Sequence, residues 1–357
     1  MKELLVIKKC IIIAFVLLLG FNAFAQEKTK SDTKNDQYRY LRFMFYNVEN
    51  YFDAENDSIT NDEEFTPEGL RHWTSYKYIE KQKKIYQVIA AAGGWELPDF
   101  IGFCEIENRK VMEDLIFKTP LKYYDYGLVH KESPDRRGID VALIYRKGKL
   151  KLINEDFFKV VFPFDTSAKT RDILYASLKT LNDDTIHVFI NHWPSRMGGQ
   201  AESDARRVLV ASILKERVDS IFKINPAAYI LISGDFNDEP DNNSIIQTLG
   251  TKTTFDNPVN QELYNLSWHL KTVKGKGSYK YQGAWGLIDQ IIISGSLLNK
   301  SSTLYTSVDN AVIFDADFLS EQDEQFIGVK PFRTFAGFRF HGGFSDHYPI
   351  YLDFLDN

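Results

Sequence analysis

A chain of 357 residues with 44% hydrophobic, 14% aromatic and 26% charged residues carries ample material for a packed core, which excludes a natively disordered protein. A formal net charge of −6 excludes nonspecific binding of a polyanion by a global basic field, although a bound dication can still dominate a local one. With two cysteines in the whole sequence, a disulfide framework is excluded as well.

At the N-terminus Lys2, Lys8 and Lys9 precede an apolar run from Cys10 to Leu19, and Ala23-Phe24-Ala25 puts small residues where a signal peptidase reads them. The run is shorter than the ~20 apolar residues of a membrane span. Residues 1–25 are therefore expected to be a cleaved signal peptide, and the mature chain an exported, soluble protein in the periplasm or outside the cell. Cys10 lies inside the run, which argues against lipid modification, and only Cys104 survives cleavage. Loss of three lysines and Glu3 takes the mature charge to about −8. Residues 26–38 are polar throughout most of their length and read as a disordered linker. A single domain over 39–357 follows.

The first β-type run, Tyr40 to Tyr46, stops at Asn47. Further short apolar or β-branched runs follow: "DFIGFCEIEN" from Asp99, "IDVALIYR" from Ile139, "TIHVFINHW" from Thr185, "AYILISGDFND" from Ala228, "LIDQIIIS" from Leu287 and "YPIYLDF" from Tyr348. Two helical stretches lie between them. Lys77 to Ala92 places Ile79, Ile85, Tyr86 and Ile89 on one face; Glu202 to Phe222 has Val208, Leu209, Ile213, Leu214, Val218 and Ile221 at helical spacing, with Pro226 past its end. Strands with a few helices suggest two sheets packed face to face and covered by helices, though periodicity does not separate this from other α+β folds.

The informative feature is where polar residues fall. Strand-like runs end in Asn47, in Glu105, in Asn191-His192 and in Asp235 with Asn237; another contains Asp289; Ser345-Asp346-His347 precedes the last. Each alone reads as a turn former. Together they match the needs of phosphodiester hydrolysis: a cation to neutralise phosphoryl oxygens, an oriented water and a base. Glu105, Asp346 and Asn47 are hard oxygen donors, too few to cage an ion, which suits Mg²⁺ with its retained waters, with Mn²⁺ or Ca²⁺ as alternatives. His192 and His347 titrate near neutrality and each needs a carboxylate to fix its tautomer, for which Asp289 and Asp140 are the candidates.

The ordered set "FYNVEN", "FCEIEN", "RGIDVALIYR", "INHWPSR", "SGDFND", "LIDQIII" and "SDHYPI" resembles the DNase-I-like endonuclease/exonuclease/phosphatase superfamily from about Tyr40 to Phe354. "NHWPSRMGG" is similar to its exported bacterial nuclease branch. The resemblance implies an α+β fold, a four-layered αβ-sandwich of two mixed β-sheets face to face, flanked by helices. It implies that Asn47, Glu105 and Asp346 hold the metal, and that Asp235 and Asn237 orient the attacking water. It implies that His347, paired with Asp289, is a general base or polarises the phosphate, with the base role shared between Asp235 and His347. His192 becomes the second phosphate-binding histidine, with Asp140 orienting it. Arg196, Asn191 and Trp285 are expected to contact substrate, whereas Arg146 reads as a solvated strand end. Glu49 and Glu107 either repel bulk anions or assist a second metal, and His130, close to "RRGIDVALIYR", reads first as an ordinary structural histidine, with a place facing the cleft as the alternative.

The expected substrate is nucleic acid, DNA or RNA. The alternative is a phospholipid head group, sphingomyelin or an inositol phosphate, and a lipid-acting enzyme should show an exposed apolar hairpin within Tyr264 to Tyr281 or Ser307 to Phe340. No stable protein partner is implied, and a monomer is expected. A noncatalytic binding protein would be expected to have lost part of the polar set, and none of it is missing.

Overall fold

The inner faces of two sheets meet across a layer of branched aliphatic and aromatic side chains. The computed structural model describes residues 39–357 apart from Met197; the expected signal peptide and linker lie outside the described residues. In chain order the main elements are β1 (Leu41–Tyr51), α1 (Ser75–Gly93), β2 (Phe100–Ile106), α2 (Arg109–Lys118), β3 (Tyr126–His130) and β4 (Asp140–Arg146). They continue with β5 (Leu150–Phe158), β6 (Ile173–Thr180), β7 (Thr185–His192), α3 (Gln200–Ile224), β8 (Tyr229–Asp235), β9 (Leu263–Asn265), α4 (Leu266–Thr272), β10 (Tyr279–Tyr281), β11 (Ala284–Gly286) and β12 (Asp289–Ser294). Short strands β13 (Leu304–Tyr305), β14 (Ala311–Ile313), β15 (Ser320–Gln322), β16 (Val329–Pro331), β17 (Phe335–Ala336) and β18 (Arg339–Phe340) precede β19 (Ile350–Asp356).

One sheet has the order β13-β19-β1-β2-β4-β3, with β14 also on β19; the other runs β5-β6-β7-β8-β12-β9. Both are mixed, because β1 pairs with β2 and β7 with β8 in parallel while their other neighbours are antiparallel. This is the two-sheet α+β sandwich expected. Residues 39–357 form one compact unit, and among the described residues no helix is long and apolar enough to cross a membrane.

Period-2 alternation divides each strand between two cores. Val188, Ile190, Leu231, Ile291 and Ile293 face the inter-sheet core, while Phe189, Ile230, Ile232 and Ile292 face outward beneath α3. Burial on both faces explains why these strands read as continuous apolar runs. The expected helix faces are partly rotated. In α1 the buried stripe is Tyr78, Lys81, Gln82, Ile85, Val88 and Ile89, and Ile79 is 44% exposed. In α3 it runs Ser203, Arg207, Val210, Ala211, Leu214, Val218 and Phe222. Both stripes contain a long cation that pattern reading assigns to solvent. Arg207 is buried because it meets the equally buried Asp238 at 2.7 Å, and that pair fixes α3 to the loop after β8.

Strand direction collects the polar ends. β1, β2, β7 and β8 finish, and the antiparallel β4, β12 and β19 begin, at the same edge, so that Asp235 lies opposite both His192 and Asp289 in the ladders. Close approach at this edge requires Gly234: a Cβ there would lie 2.3 Å from the Asn191 carbonyl oxygen. Gly234→Ala is therefore expected to destabilise the fold by roughly 1–3 kcal/mol and to lower activity by spreading the β7 and β8 ends. Denaturant unfolding and turnover check this, and wild-type values for both would refute it.

Candidate active site

Backbone irregularity aims the first side chains. The β1–β2 ladder shifts register between Asn47 and Tyr51, and the β2–β4 ladder between Cys104 and Ile106. Glu49, Asn50 and Glu105 sit in these interruptions with φ of 52°, 52° and 61°, and Asn237 has φ 50°. Such left-handed backbone costs a non-glycine residue energy and re-aims side chains next to functional sites. Glu105 Oε2 accepts the Asn50 N–H at 2.9 Å, while Oε1 faces the Asn47 amide at 3.5 Å and His192 Nε2 at 4.0 Å.

A row of titratable groups crosses the two sheets. Asp235 Oδ2 lies 3.7 Å from His192 Nε2 and 3.9 Å from His347 Nε2, and it accepts the Asn47 Nδ2–H at 3.1 Å. Asp235 Oδ1 accepts the Asn237 N–H at 2.9 Å. Behind His347, Asp289 Oδ2 is 2.7 Å from Nδ1 and also accepts the Ser278 hydroxyl at 2.5 Å. With Nδ1–H donated to Asp289, His347 turns Nε2 toward Asp235 and toward Asp346 Oδ1, 3.9 Å away.

The two histidines are tuned in opposite directions. Burial alone would lower His347, but Asp289, by charge and hydrogen bond, and then Asp346 and Asp235 raise it well above the usual imidazole value. Burial, reinforced by Arg171, Arg137 and His347, holds His192 well below it. Its buried Nδ1 has no hydrogen-bond partner among the described residues. Burial lifts Asp235 to about 7, with His347 opposing and Asp289 and Glu105 assisting.

Asp346 lies at the outer end beside a cation that pattern reading did not single out. Arg333 Nη2 is 3.0 Å from Asp346 Oδ2, and its guanidinium reaches Glu49 Oε1 at 3.2 Å. Glu49 Oε2 accepts the Thr334 N–H at 2.6 Å. Beneath them the buried Lys81 donates to Thr334 Oγ1 at 2.5 Å and the Phe344 carbonyl at 2.6 Å. Burial lowers Lys81 to about 8 and, with Asp346, raises Glu49 to about 6. The periodic pattern of α1 carries no sign that Lys81 turns inward. Glu49, Glu105, Asp235, Asp289 and Asp346 thus share a space in which carboxylates crowd one another, and burial already favours protonation of two of them. Such a donor set fits a hard divalent cation. Glu105 and Asp346 would hold it, with Asn47 beside them; the Asn47 oxygen also accepts the Glu49 N–H at 3.0 Å.

Other expected contacts fall elsewhere. Asp140 does not meet His192: its oxygens take the Ser133 N–H at 2.9 Å and face His130 Nε2 at 3.3 Å, because the bulge at Glu105 sets Asp140 opposite Ile106. Asn191 is fully buried with its amide on Trp193 Nε1 and the Ser233 carbonyl, so it braces strands instead of contacting substrate. Arg196 donates Nε to the Asn237 carbonyl at 2.7 Å and Nη2 to Asn242 Oδ1 at 3.1 Å, which makes it a clamp on the Asn237 loop. Arg146 is bonded to Glu96 and Asp99 at the opposite strand end. Glu107 accepts the Asp53 N–H at 2.6 Å and, like Glu49, anchors backbone. Trp285 is 39% exposed, stacks on Tyr348 with ring centroids 5.4 Å apart and lines a groove of about 660 Å³. Arg171, also unanticipated, binds the His192 and Trp193 carbonyls and Asp135.

The Endonuclease/Exonuclease/phosphatase family matches residues 42–355. Among solved structures, the human Nocturnin catalytic domain with bound sulfate is 16% identical at TM-score 0.53, covering 90% of this chain and 96% of that one. D. rerio TDP2 complexed with single-strand DNA product is 13% identical at 0.52, covering 88% and 98%. Bacteroides thetaiotaomicron mannosyl-6-phosphatase is 14% identical at 0.50, covering 88% and 99%. At such identities the likeness is one of fold. No curated protein matches the sequence.

Burial raises Glu107 to about 8, opposed by the Asp53 N–H and assisted by the Asp53 carboxylate, and raises Asp140 to about 7. From the ordinary carboxyl range up to these values the folded chain keeps protons that the unfolded chain has released, so stability falls as pH rises. Stripped of divalent ions, the protein should lose several degrees in Tm between about pH 5 and pH 8. Glu107→Gln should flatten that slope; a Tm that climbs with pH would contradict it.

Proposed function

The chain belongs to the endonuclease/exonuclease/phosphatase family, whose members are phosphoric ester hydrolases, and from that premise we propose that it is an exported, divalent-metal-dependent phosphodiesterase acting on DNA or RNA. One observation carries the reading: the Asp235 carboxylate, raised to about 7, stands between the Nε2 atoms of two oppositely tuned histidines. A cation on Glu105 and Asp346 would neutralise phosphoryl charge as the transition state forms. Asp235 accepts the proton of the attacking water as its oxygen bonds to phosphorus and the P–O bond to the leaving ester oxygen breaks, the departing alkoxide taking a proton from solvent; a group titrating near the working pH suits that task. Asn237, fixed by its donation to the Trp193 carbonyl at 3.0 Å, presents its side-chain oxygen to the same water. His347 stays protonated through Asp289 and donates Nε2–H to a phosphoryl oxygen, which leaves the base role to Asp235. Neutral His192 attends the other side of the phosphoryl group.

Support for a nucleic acid substrate comes from aromatic rings around the mouth, where planar bases can stack. Tyr279 stacks on His347 with centroids 4.8 Å apart, Tyr281 follows at 6.5 Å, and Trp285 is exposed nearby. The DNA product in the D. rerio TDP2 structure is consistent with this reading. A lipidic phosphoester is the second reading, and one observation favours it. The β10–β11 and β15–β16 hairpins meet through Lys280, which pairs with Asp323 at 2.8 Å, and their tips expose Tyr281, Phe326 and Ile327, the last to 98%. That is the apolar hairpin a lipid enzyme needs.

The test is hydrolysis of bis-p-nitrophenyl phosphate, plasmid DNA and sphingomyelin side by side with Mg²⁺, Mn²⁺ or EDTA. Metal-dependent nicking of plasmid is expected, with Glu105→Ala and His347→Ala each lowering kcat roughly 10²–10⁴-fold. Turnover of the lipid alone would promote the second reading, and failure to bind any divalent ion would end the hydrolytic one. Export is checked by the mass of the secreted product, expected to begin at Gln26.

A further inference from the structure

Two polar groups beside Asp346 have donors that nothing among the described residues uses. The Arg333 guanidinium commits Nε and Nη2 to Glu49 and Asp346, and its Nη1 has no partner among the described residues. Its side chain is 44% exposed, although both carboxylates that hold it are largely buried. Tyr279, partly buried, makes no hydrogen bond through its hydroxyl among the described residues, while its ring stacks on His347 and its backbone bridges to the same residue. Arg333 and Tyr279 also feel one another's charge, and the phenol feels Asp346 and Asp235. Arg333 is bonded to Asp346 and Tyr279 is stacked on His347, so both border the space where the phosphoryl group would sit.

Neither group is placed by chance of a surface loop. Arg333 is held at its side chain by Glu49, which also takes the Thr334 N–H. The segment from Phe332 to Phe344 is closed by Phe344 N–H to the Phe332 carbonyl at 2.6 Å and Gly343 N–H to the Arg333 carbonyl at 3.2 Å. The buried Lys81 ties Thr334 to Phe344 from below. On the other side, Tyr348 N–H donates to the Ser278 carbonyl at 2.7 Å and Ser278 bonds Asp289, so the strand carrying Tyr279 is fixed to the histidine it stacks on. A guanidinium with a free edge binds phosphoryl oxygens by charge-assisted hydrogen bonds. In a site rich in carboxylates, such a donor adds to His347 in admitting an anion.

Resting on the phosphoester-hydrolase reading of this site, we propose that Arg333 and Tyr279 are its phosphoryl-binding pair, donating from Nη1 and the phenol to non-bridging oxygens of the bound phosphoester. Glu49 and Lys81 act through Arg333 and are positioning residues. Burial, aided by the Asp346 charge, raises Tyr279 to about 12, so the phenol remains a donor throughout the neutral range.

The test compares wild type with Arg333→Met, Arg333→Lys and Tyr279→Phe. Three quantities are read: inorganic phosphate binding to the Mn²⁺-loaded protein by calorimetry, Mn²⁺ binding without phosphate, and KM for bis-p-nitrophenyl phosphate. Arg333→Met should weaken phosphate binding and raise KM by roughly tenfold or more, with Arg333→Lys restoring part of the loss. Tyr279→Phe should weaken phosphate by roughly severalfold with no change in Tm, because the hydroxyl supports no internal bond. Mn²⁺ affinity should hold or tighten in Arg333→Met, since a competing cation leaves Asp346. Wild-type phosphate binding in Arg333→Met would overturn the proposal. So would loss of Mn²⁺ binding and Tm together with unchanged phosphate affinity, which would make Arg333 a brace for Glu49 and Asp346. Because phosphate binding is read without turnover, an Arg333-dependent phosphate site in a protein that hydrolyses no ester would sink the hydrolase reading alone.

Discussion

Holding Glu49, Asp235 and Asp289 buried beside the partly exposed Glu105 and Asp346 is the constraint to which the surrounding structure answers, since ionised carboxylates in low dielectric repel one another and resist desolvation. The fold meets it in several ways. Asp289 is matched by His347 and the Ser278 hydroxyl. Arg333 serves Glu49 and Asp346 together. Glu105 receives a backbone N–H, and Asp235 receives one from Asn237 besides the Asn47 amide. Where these fall short, protonation makes up the difference, as the raised values of Asp235 and Glu49 show. A site charged in this way is poised for a dication and for proton transfer at once.

Keeping that arrangement rigid falls to groups that never touch the chemistry. Arg171 fastens the carbonyls of His192 and Trp193. Asn237 reaches back to the same Trp193 carbonyl, while Arg196 holds Asn237 from outside. The buried Arg207–Asp238 pair ties this loop to α3. Removing either member would leave a lone buried charge, at a cost typically near 3–5 kcal/mol. Left-handed residues at Glu105 and Asn237 add local strain that the double apolar core on either side of the second sheet offsets.

Around this rigid centre the variable part is a rim of short hairpins. Lys280 joins two of them through Asp323 and the carbonyls of Ile327 and Val329, which lets apolar tips stand in solvent without collapsing onto the cleft. Aromatic rings lead from His347 outward along β10. Titratable side chains thus gather at strand ends, and exposed aromatic and apolar side chains at the rim, in the loops that one fold can vary most freely.

Much of this was legible in the chain itself. Runs of β-branched and aromatic residues marked the strands from Tyr40 to Phe354, and polar groups breaking those runs marked the edge where the candidate site gathers, because a strand buried on both faces tolerates Glu105, His192 or Asp235 only near its end and Asn47 only where the ladder shifts register. The ordered motifs carried the family. Tertiary structure alone decided which carboxylate met which cation. A one-residue bulge at Glu105 sent Asp140 to His130, and chain closure across 284 residues of separation brought Arg333 to Glu49. Lys81 and Arg207 are buried on their helices by partners that arrive from distant loops. Local pattern records the burial preference of each residue, whereas pairing of buried charges is set by the path of the whole chain, and no spacing rule encodes it.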